Sequence, residues 1–139
     1  MSITIDFNAP DDLRAVIDER LNAYTRDLSP TKGKLQLVTF ALIDDETGGC
    51  RGGLNAVVYG HWMFVEGLFI DEDLRGQQFG THLLSQAEDK ARAMDLVGIW
   101  LDTFDFQAPD FYEKAGFERF GTLKDYPRGH ERCFYQKIL

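Results

Sequence analysis

The period of the hydrophobic positions changes several times along the chain. "SITIDF" alternates apolar and polar residues, as a short edge strand does. "APDDLRAVIDERLNAYTRDL" then repeats Leu13, Val16, Ile17, Leu21, Tyr24 and Leu28 at helical spacing, with Asp11 or Asp12 available as a cap. "SPTKG" breaks that helix. "KLQLVTFALID" reads as a strand, "DETGG" as turn chemistry and "CRGGLNAVVYG" as the returning strand. Gly52 and Gly53 inside it predict a bulge or a close backbone approach. "HWMFVEGLFID" is almost continuously apolar, which predicts a strand buried on both faces.

From Gly76 to Asp95 the period becomes helical. Leu83, Leu84, Ala87, Ala91 and Met94 form the inner face, and Glu88, Asp89, Lys90 and Arg92 the wet one. "LVGIWLDTF" is another buried strand. "APDFYEKAG" is a short helix with Pro109 in its first turn and Gly116 as its stop. "FERFGTL" and "ERCFYQKIL" close the chain as strands joined by "KDYPRGH". The strand–helix–strand unit in the middle requires a parallel pair with a right-handed crossover, and the flanking hairpins require antiparallel pairing. The expected class is a mixed α/β fold: one central, mostly antiparallel sheet holding a parallel pair, with helices on both faces, built as a single domain over residues 1–139.

Composition narrows the function classes. At 139 residues, 44% hydrophobic and 13% aromatic, the chain is long enough for one real core. No apolar run approaches the roughly 20 residues that span a bilayer, and the first ten residues lack the regions of a signal peptide. The expectation is a cytoplasmic protein with no membrane partner. A net charge of -8 argues against nucleic acid, whose phosphates need a basic footprint. It serves solubility, or favours cationic partners such as amines; charge alone leaves both open. Cys50 and Cys133 form no CxxC and no histidine pair stands at metal spacing, so no metal site is expected.

The chemistry concentrates at "DEDLRGQQFGTHLL", where a strand gives way to a helix. A helix N-terminus leaves N–H groups free, with partial positive charge behind them, and glycine lets a ligand come close. Phosphate is the usual occupant of such a junction. Arg75, Gly76, Gln77, Gln78, Phe79, Gly80 and Thr81 form the loop. Neither a Walker A ending nor a dinucleotide fingerprint is present.

"LRGQQFGTHLL" after "VEGLFIDED" resembles the acetyl-coenzyme A loop of the GNAT N-acyltransferase superfamily. Members usually read Arg/Gln-x-x-Gly-x-Gly/Ala. Arg75 and Gly80 match, and Gln78 stands at the middle glycine. "APDFYEKAGFERFG" resembles the second superfamily motif at Ala108, Phe111, Tyr112, Lys114, Gly116 and Phe117. Element order fits as well, and the close of the chain is similar to a bacterial subgroup.

The resemblance implies acetyl-coenzyme A as cofactor and transfer of an acetyl group to a primary amine of a small molecule by direct attack. It places the pantetheine arm along Leu68, Phe69 and Ile70, with a backbone N–H near Leu68 on the thioester oxygen. Glu66, the one charge in its strand, becomes the general base, and Tyr112 the general acid near the sulfur. Asp105 stands where members carry an Asn that contacts the cofactor. Trp62, Asp102, Tyr126 and His130 are candidates for the acceptor pocket, each with an ordinary packing, capping or turn role as the alternative. A non-catalytic acyl-coenzyme A sensor and a protein acetyltransferase remain the competing readings. Homodimers are common among similar proteins, and "CFYQKIL" offers an edge.

Overall fold

A strand exists only where its backbone groups find a ladder, and this decides which apolar segments become sheet. The computed structural model describes residues 1–31 and 34–139 and divides into two compact units, Met1–Lys34 and Leu35–Leu139. The first unit contains one helix, α1 (Asp12–Leu28). Residues 2–7 form no strand, contrary to their alternation, because the unit offers them no partner strand. Asp11 is the N-cap residue, but its side chain makes no capping bond. The helix ends at Ser29, whose N–H still reaches the Thr25 carbonyl at 2.8 Å, before Ser29 turns to an extended conformation. The Lys32–Gly33 part of the expected break lies outside the described residues.

The second unit holds a six-stranded sheet. Its elements are β1 (Leu35–Ile43), β2 (Cys50–Tyr59), β3 (Trp62–Ile70), α2 (Phe79–Ala93), β4 (Gly98–Phe104), α3 (Pro109–Lys114), β5 (Glu118–Lys124) and β6 (Glu131–Ile138). The spatial order is β1-β2-β3-β4-β6-β5. Every neighbour pair is antiparallel except β3 with β4, which α2 connects as the crossover. This is the mixed α/β class that the sequence predicts. No helix among the described residues is long and apolar enough to cross a membrane.

Alternation gives the sheet two different faces. One face carries Leu54, Ala56, Val58, Met63, Val65, Ile99, Leu101, Cys133 and Tyr135, all buried in one cluster with Leu83, Leu84, Ala87 and Ala91 of α2 and Tyr112 of α3. Burying a side chain of leucine size stabilises by about 1.5–3 kcal/mol, so this cluster is the main source of stability. Met94 packs at its margin. Glu88, expected on the wet face, is half-buried instead. It pairs with Lys137 at 2.7 Å, and the same ammonium donates to the Ala115 carbonyl at 2.8 Å, tying α2 and the end of α3 to β6. Cys133 is buried and Cys50 exposed, both as free thiols.

Two glycine expectations resolve into close approaches. A Cβ at Gly52 would collide with the Phe69 carbonyl oxygen, and one at Gly53 with that of Phe40. The β1–β2 register also slips beside them, between Leu42 and Ile43. The double-sided burial expected of β3 is not found. Met63 and Val65 are buried, whereas Glu66, Gly67 and Phe69 are exposed, because β4 accompanies β3 only over its first three residues.

Gly98 works by absence of a side chain. A Cβ there would lie 2.6 Å from the Lys137 carbonyl oxygen and 2.8 Å from the Trp62 ring. Gly98→Ala is expected to displace the Trp62 ring and to destabilise by about 1–3 kcal/mol, as overpacking does. The measurement is a fall in the urea midpoint with a shift in tryptophan emission; an unchanged midpoint contradicts it.

Candidate functional site

The ladder between β3 and β4 consists of Trp62 with Gly98, Met63 with Ile99 and Phe64 with Trp100, and then stops. Both strands continue. β3 remains bound to β2 as far as Ile70, and β4 to β6 as far as Phe104. They part in a V, and the edge of β3 that faces β4 beyond Phe64 keeps backbone donors and acceptors unused by any ladder. The Ile70 carbonyl accepts from Arg75 Nε at 2.9 Å.

At the mouth of the V the register of β3 on β2 skips one residue. Asn55 opposes Gly67 and Ala56 opposes Val65, which leaves Glu66 as the inserted residue of a bulge. Its carboxylate is exposed and has no hydrogen-bond or ion-pair partner among the described residues. The run "WMFVEGLFI" contains no signal for this offset; only pairing with β2 creates it.

A cleft of about 700 Å³ lies where β3 ends and α2 begins. Of the residues expected to bind a cofactor, Leu68, Phe69, Ile70, Arg75, Gly76, Gln78, Phe79, Gly80 and Thr81 line it. Leu74, Gln107, Ala108 and Phe111 complete the wall. Ala108 and Phe111 belong to the second motif, which was their signal. Gln107 is fixed by its own amide oxygen, which accepts from the Phe104 N–H at 2.9 Å and the Thr103 hydroxyl at 3.2 Å. Gln77 does not line the cleft; its amide turns to the Asp73 carbonyl at 3.3 Å.

The loop into the cleft is held from outside. Arg51 donates to Asp71 at 2.7 Å and to Asp73 at 2.6 Å, and its carbonyl receives the Asp71 N–H at 3.0 Å. Hydrogen bonding to Arg51 lowers the Asp73 pKa below the ordinary carboxylate value. A short 3-10 turn, Glu72–Leu74, follows, and then Gly76 at φ 77° and Gln78 at φ 68°. These left-handed residues delay α2, which was expected from Gly76, until Phe79. Gln78 is the N-cap residue and gives no side-chain cap. The first N–H groups of α2 therefore have no intrahelical partner and open on the cleft. A Cβ at Gly80 would lie 3.1 Å from the Phe111 ring, so a side chain there would crowd the wall.

Tyr112 is buried, 9% exposed, with its ring against Phe111, Phe117 and Tyr135. Its hydroxyl makes no hydrogen bond among the described residues. No buried polar side-chain atom is left unsatisfied, so that hydroxyl reaches accessible space. Burial, and secondly the Asp102 charge, push the phenol above its ordinary pKa. Asp102 is itself bound to Arg132 Nε at 2.9 Å. Arg132 is a residue the sequence did not single out. It reaches the Tyr126 hydroxyl at 3.3 Å, and its pKa is raised, chiefly by the bond to Asp102. Asp105 joins two turns: it accepts from the Glu131 N–H at 3.1 Å and faces His130 Nδ1 at 3.1 Å. Trp62 stands on the sheet face opposite α2. Glu66 and Tyr112 thus belong to the two strands' parting and to the short helix beyond it, while Asp102, Tyr126 and His130 are linked to Arg132 and Asp105 rather than to the cleft.

A parting strand pair, an uncapped helix N-terminus and an apolar cleft joining them suit a long ligand with an anionic head and a hydrogen-bonding arm. The model of the acetyltransferase (GNAT) family matches residues 10–117. The chain belongs to the GNAT family of acetyltransferases. A blasticidin-S acetyltransferase of Streptomyces morookaense is 38% identical over 60% of this chain and 62% of its own, less than two thirds of that relative's length. An IAA acetyltransferase of Azospirillum brasilense is 31% identical over 99% of both chains. An acetyltransferase crystal structure from Bacillus cereus superposes with a TM-score of 0.88 over 98% of both chains, at 28% identity. Acetyl-coenzyme A is the acyl donor of this family, and the residues of the cleft fit it: free helix N–H groups for the pyrophosphate and an unladdered strand edge for the pantetheine amides.

Gln78, at φ 68°, occupies the left-handed region that glycine adopts without strain. The left-handed conformation costs a side-chain-bearing residue about 1–2 kcal/mol. Gln78→Gly is expected to relieve this and raise stability by up to about 1 kcal/mol, after the entropy of the new glycine is subtracted. Coenzyme A affinity should stay within about twofold, because the backbone N–H groups remain. Thermal unfolding and calorimetric titration measure the two; a lowered melting temperature contradicts the assignment of strain.

Proposed function

We propose that the protein is an acetyl-coenzyme A-dependent N-acetyltransferase acting on a primary amine of a small molecule by direct attack within a ternary complex. The observation that carries this is the cleft itself: the free edge of β3 and the uncapped end of α2 converge on one cavity, whose wall begins at Leu68, two residues after Glu66 in β3. The activity named for the blasticidin-S relative supports a small-molecule acceptor.

Bound acetyl-coenzyme A supplies an activated thioester. Gln78, Phe79, Gly80 and Thr81 would hold the pyrophosphate with backbone N–H groups, and Leu68 to Ile70 would hold the arm. A backbone N–H near Leu68 would be available to the thioester carbonyl oxygen. Glu66, unpaired and exposed, accepts the proton that the ammonium must lose before nitrogen can attack. Tyr112 holds a proton at its phenolic oxygen for the departing sulfur.

The sign of the pH dependence follows from burial. Burial stabilises the neutral phenol, so the Tyr112 proton is retained through neutral pH and leaves only above the ordinary tyrosine value of about 10. An alkaline limb set by Tyr112 is therefore expected above about pH 10, and in Tyr112→Phe that limb should vanish. A limb retained in the variant assigns it elsewhere.

Thiol release with acetyl-coenzyme A and a panel of small amines tests the reading. Turnover is expected, and Tyr112→Phe should lower kcat about 100-fold, within the range of general acid catalysis, while coenzyme A affinity changes little. Tight coenzyme A binding without thiol release for any amine overturns the proposal.

A further inference from the structure

The sheet face opposite α2 carries a second cavity, of about 500 Å³, lined chiefly by the rings of Tyr59, Trp62, Phe64, Trp100 and Phe120, with the Gln136 amide and the Tyr59 hydroxyl as polar groups. The size suits a small molecule rather than a protein surface. Its position is set by the ladder: Phe64 and Trp100 are the last pair before β3 and β4 part. Glu66 is two residues further along β3, about 7 Å at strand rise. The cavity thus borders the same V whose other side is the cofactor cleft.

Its lining is selective in kind. Phe64 and Trp100 stack with ring centroids 4.2 Å apart and planes 26° from parallel. Phe120 is the inserted residue of the bulge in β5 and leans on Phe134, at 6.2 Å. Toward the far end of β4 the aromatic surface continues through Phe134 and Phe104, both beside the Arg132 guanidinium. A flat conjugated ring extends such a stack over its whole face, whereas a saturated skeleton touches it at points. The Gln136 amide has no hydrogen-bond partner among the described residues, so both a donor and an acceptor remain for a ligand heteroatom. Asp102 and Arg132 neutralise each other nearby, which leaves Glu66 as the unpaired charge at the mouth of the V.

We infer that this aromatic cavity is the acceptor subsite, and that the acceptor is a primary amine carried on a planar aromatic or heteroaromatic group. The inference rests on the acetyl-transfer reading and specifies its substrate class.

The two tryptophans of the chain, Trp62 and Trp100, both line the cavity, so their emission reports its occupancy directly. Phenethylamine and 2-cyclohexylethylamine present the same ammonium on rings of equal carbon count, one flat and one saturated. With acetyl-coenzyme A and thiol release as readout, phenethylamine is expected to show a KM about tenfold lower, the scale of one good aromatic contact. With coenzyme A alone, phenethylamine should shift tryptophan emission and 2-cyclohexylethylamine should not. Phe120→Leu keeps apolar volume at the exposed edge of the cavity but removes the flat face. It should narrow the preference to about threefold or less. Equal KM values for the two amines, with unchanged emission, overturn the subsite and leave acetyl transfer standing. An emission change with phenethylamine and no thiol release with any amine of the panel leaves the cavity an aromatic-amine binding site and overturns both the transfer reading and the acceptor role.

Discussion

The site depends on one constraint: β3 and β4 pair over three residues and then each follows its other neighbour. Over Trp62–Phe64 and Gly98–Trp100 each strand is paired on both edges; beyond them each keeps only its antiparallel neighbour. The parting thus removes only the bonds between the two. Backbone groups freed in this way cost about 1–3 kcal/mol each if buried without a partner, and little if they face water or a ligand. The V must therefore stay open to solvent or be filled by something that hydrogen-bonds like a strand. The same parting explains why β3 is buried at Met63 and Val65 and exposed from Glu66 onward.

From that opening the two sheet faces take different chemistry. On the α2 side the V meets free helix N–H groups, and Arg51 steadies the approach by gripping Asp71 and Asp73. On the opposite side it meets stacked aromatic rings. Strand alternation makes the division unavoidable: Met63, Val65, Ile99 and Leu101 go to the core, so Trp62, Phe64 and Trp100 must go to the other face. Gly98 then leaves the space in which the Trp62 ring lies. A ligand approaching from each face would meet the other at the point where the strands separate.

Much of this is legible in the sequence, because the elements that build it are local. The 3.6-residue period of α2, the apolar strands and the turn glycines each identify an element within a short window; of the seven strands expected, six form, and the single parallel pair follows from their order. The loop residues were legible through their resemblance to a family motif, since glycine at a strand–helix junction is by itself more often only a turn. What was hidden is what only pairing creates. The offset that inserts Glu66 depends on β2, 11 residues back at Asn55. The Asp102–Arg132 bond joins residues 30 apart through the β4–β6 ladder. The alternation in "SITIDF" misled because alternation reports a preference for two faces, whereas a strand also needs a neighbour. Gln78 was visible as a departure from glycine, but the reason, a left-handed backbone, lies in its φ angle.

The pairing of Asp102 with Arg132 bears on how Tyr112 can behave. A buried phenol beside a bare carboxylate would be held strongly neutral, and would be a poor donor to a thiolate whose own charge is better stabilised by water. A guanidinium at 2.9 Å from the carboxylate offsets part of that field. Tyr112 keeps its hydrogen uncommitted to any described residue, in a setting where burial favours retaining it until a stronger base appears. The aromatic rings around Arg132 hold the guanidinium in place by stacking rather than by further carboxylates, and so add no negative charge against the phenol. The acid role proposed for Tyr112 asks for such an arrangement: buried enough to keep its proton, and free enough to give it.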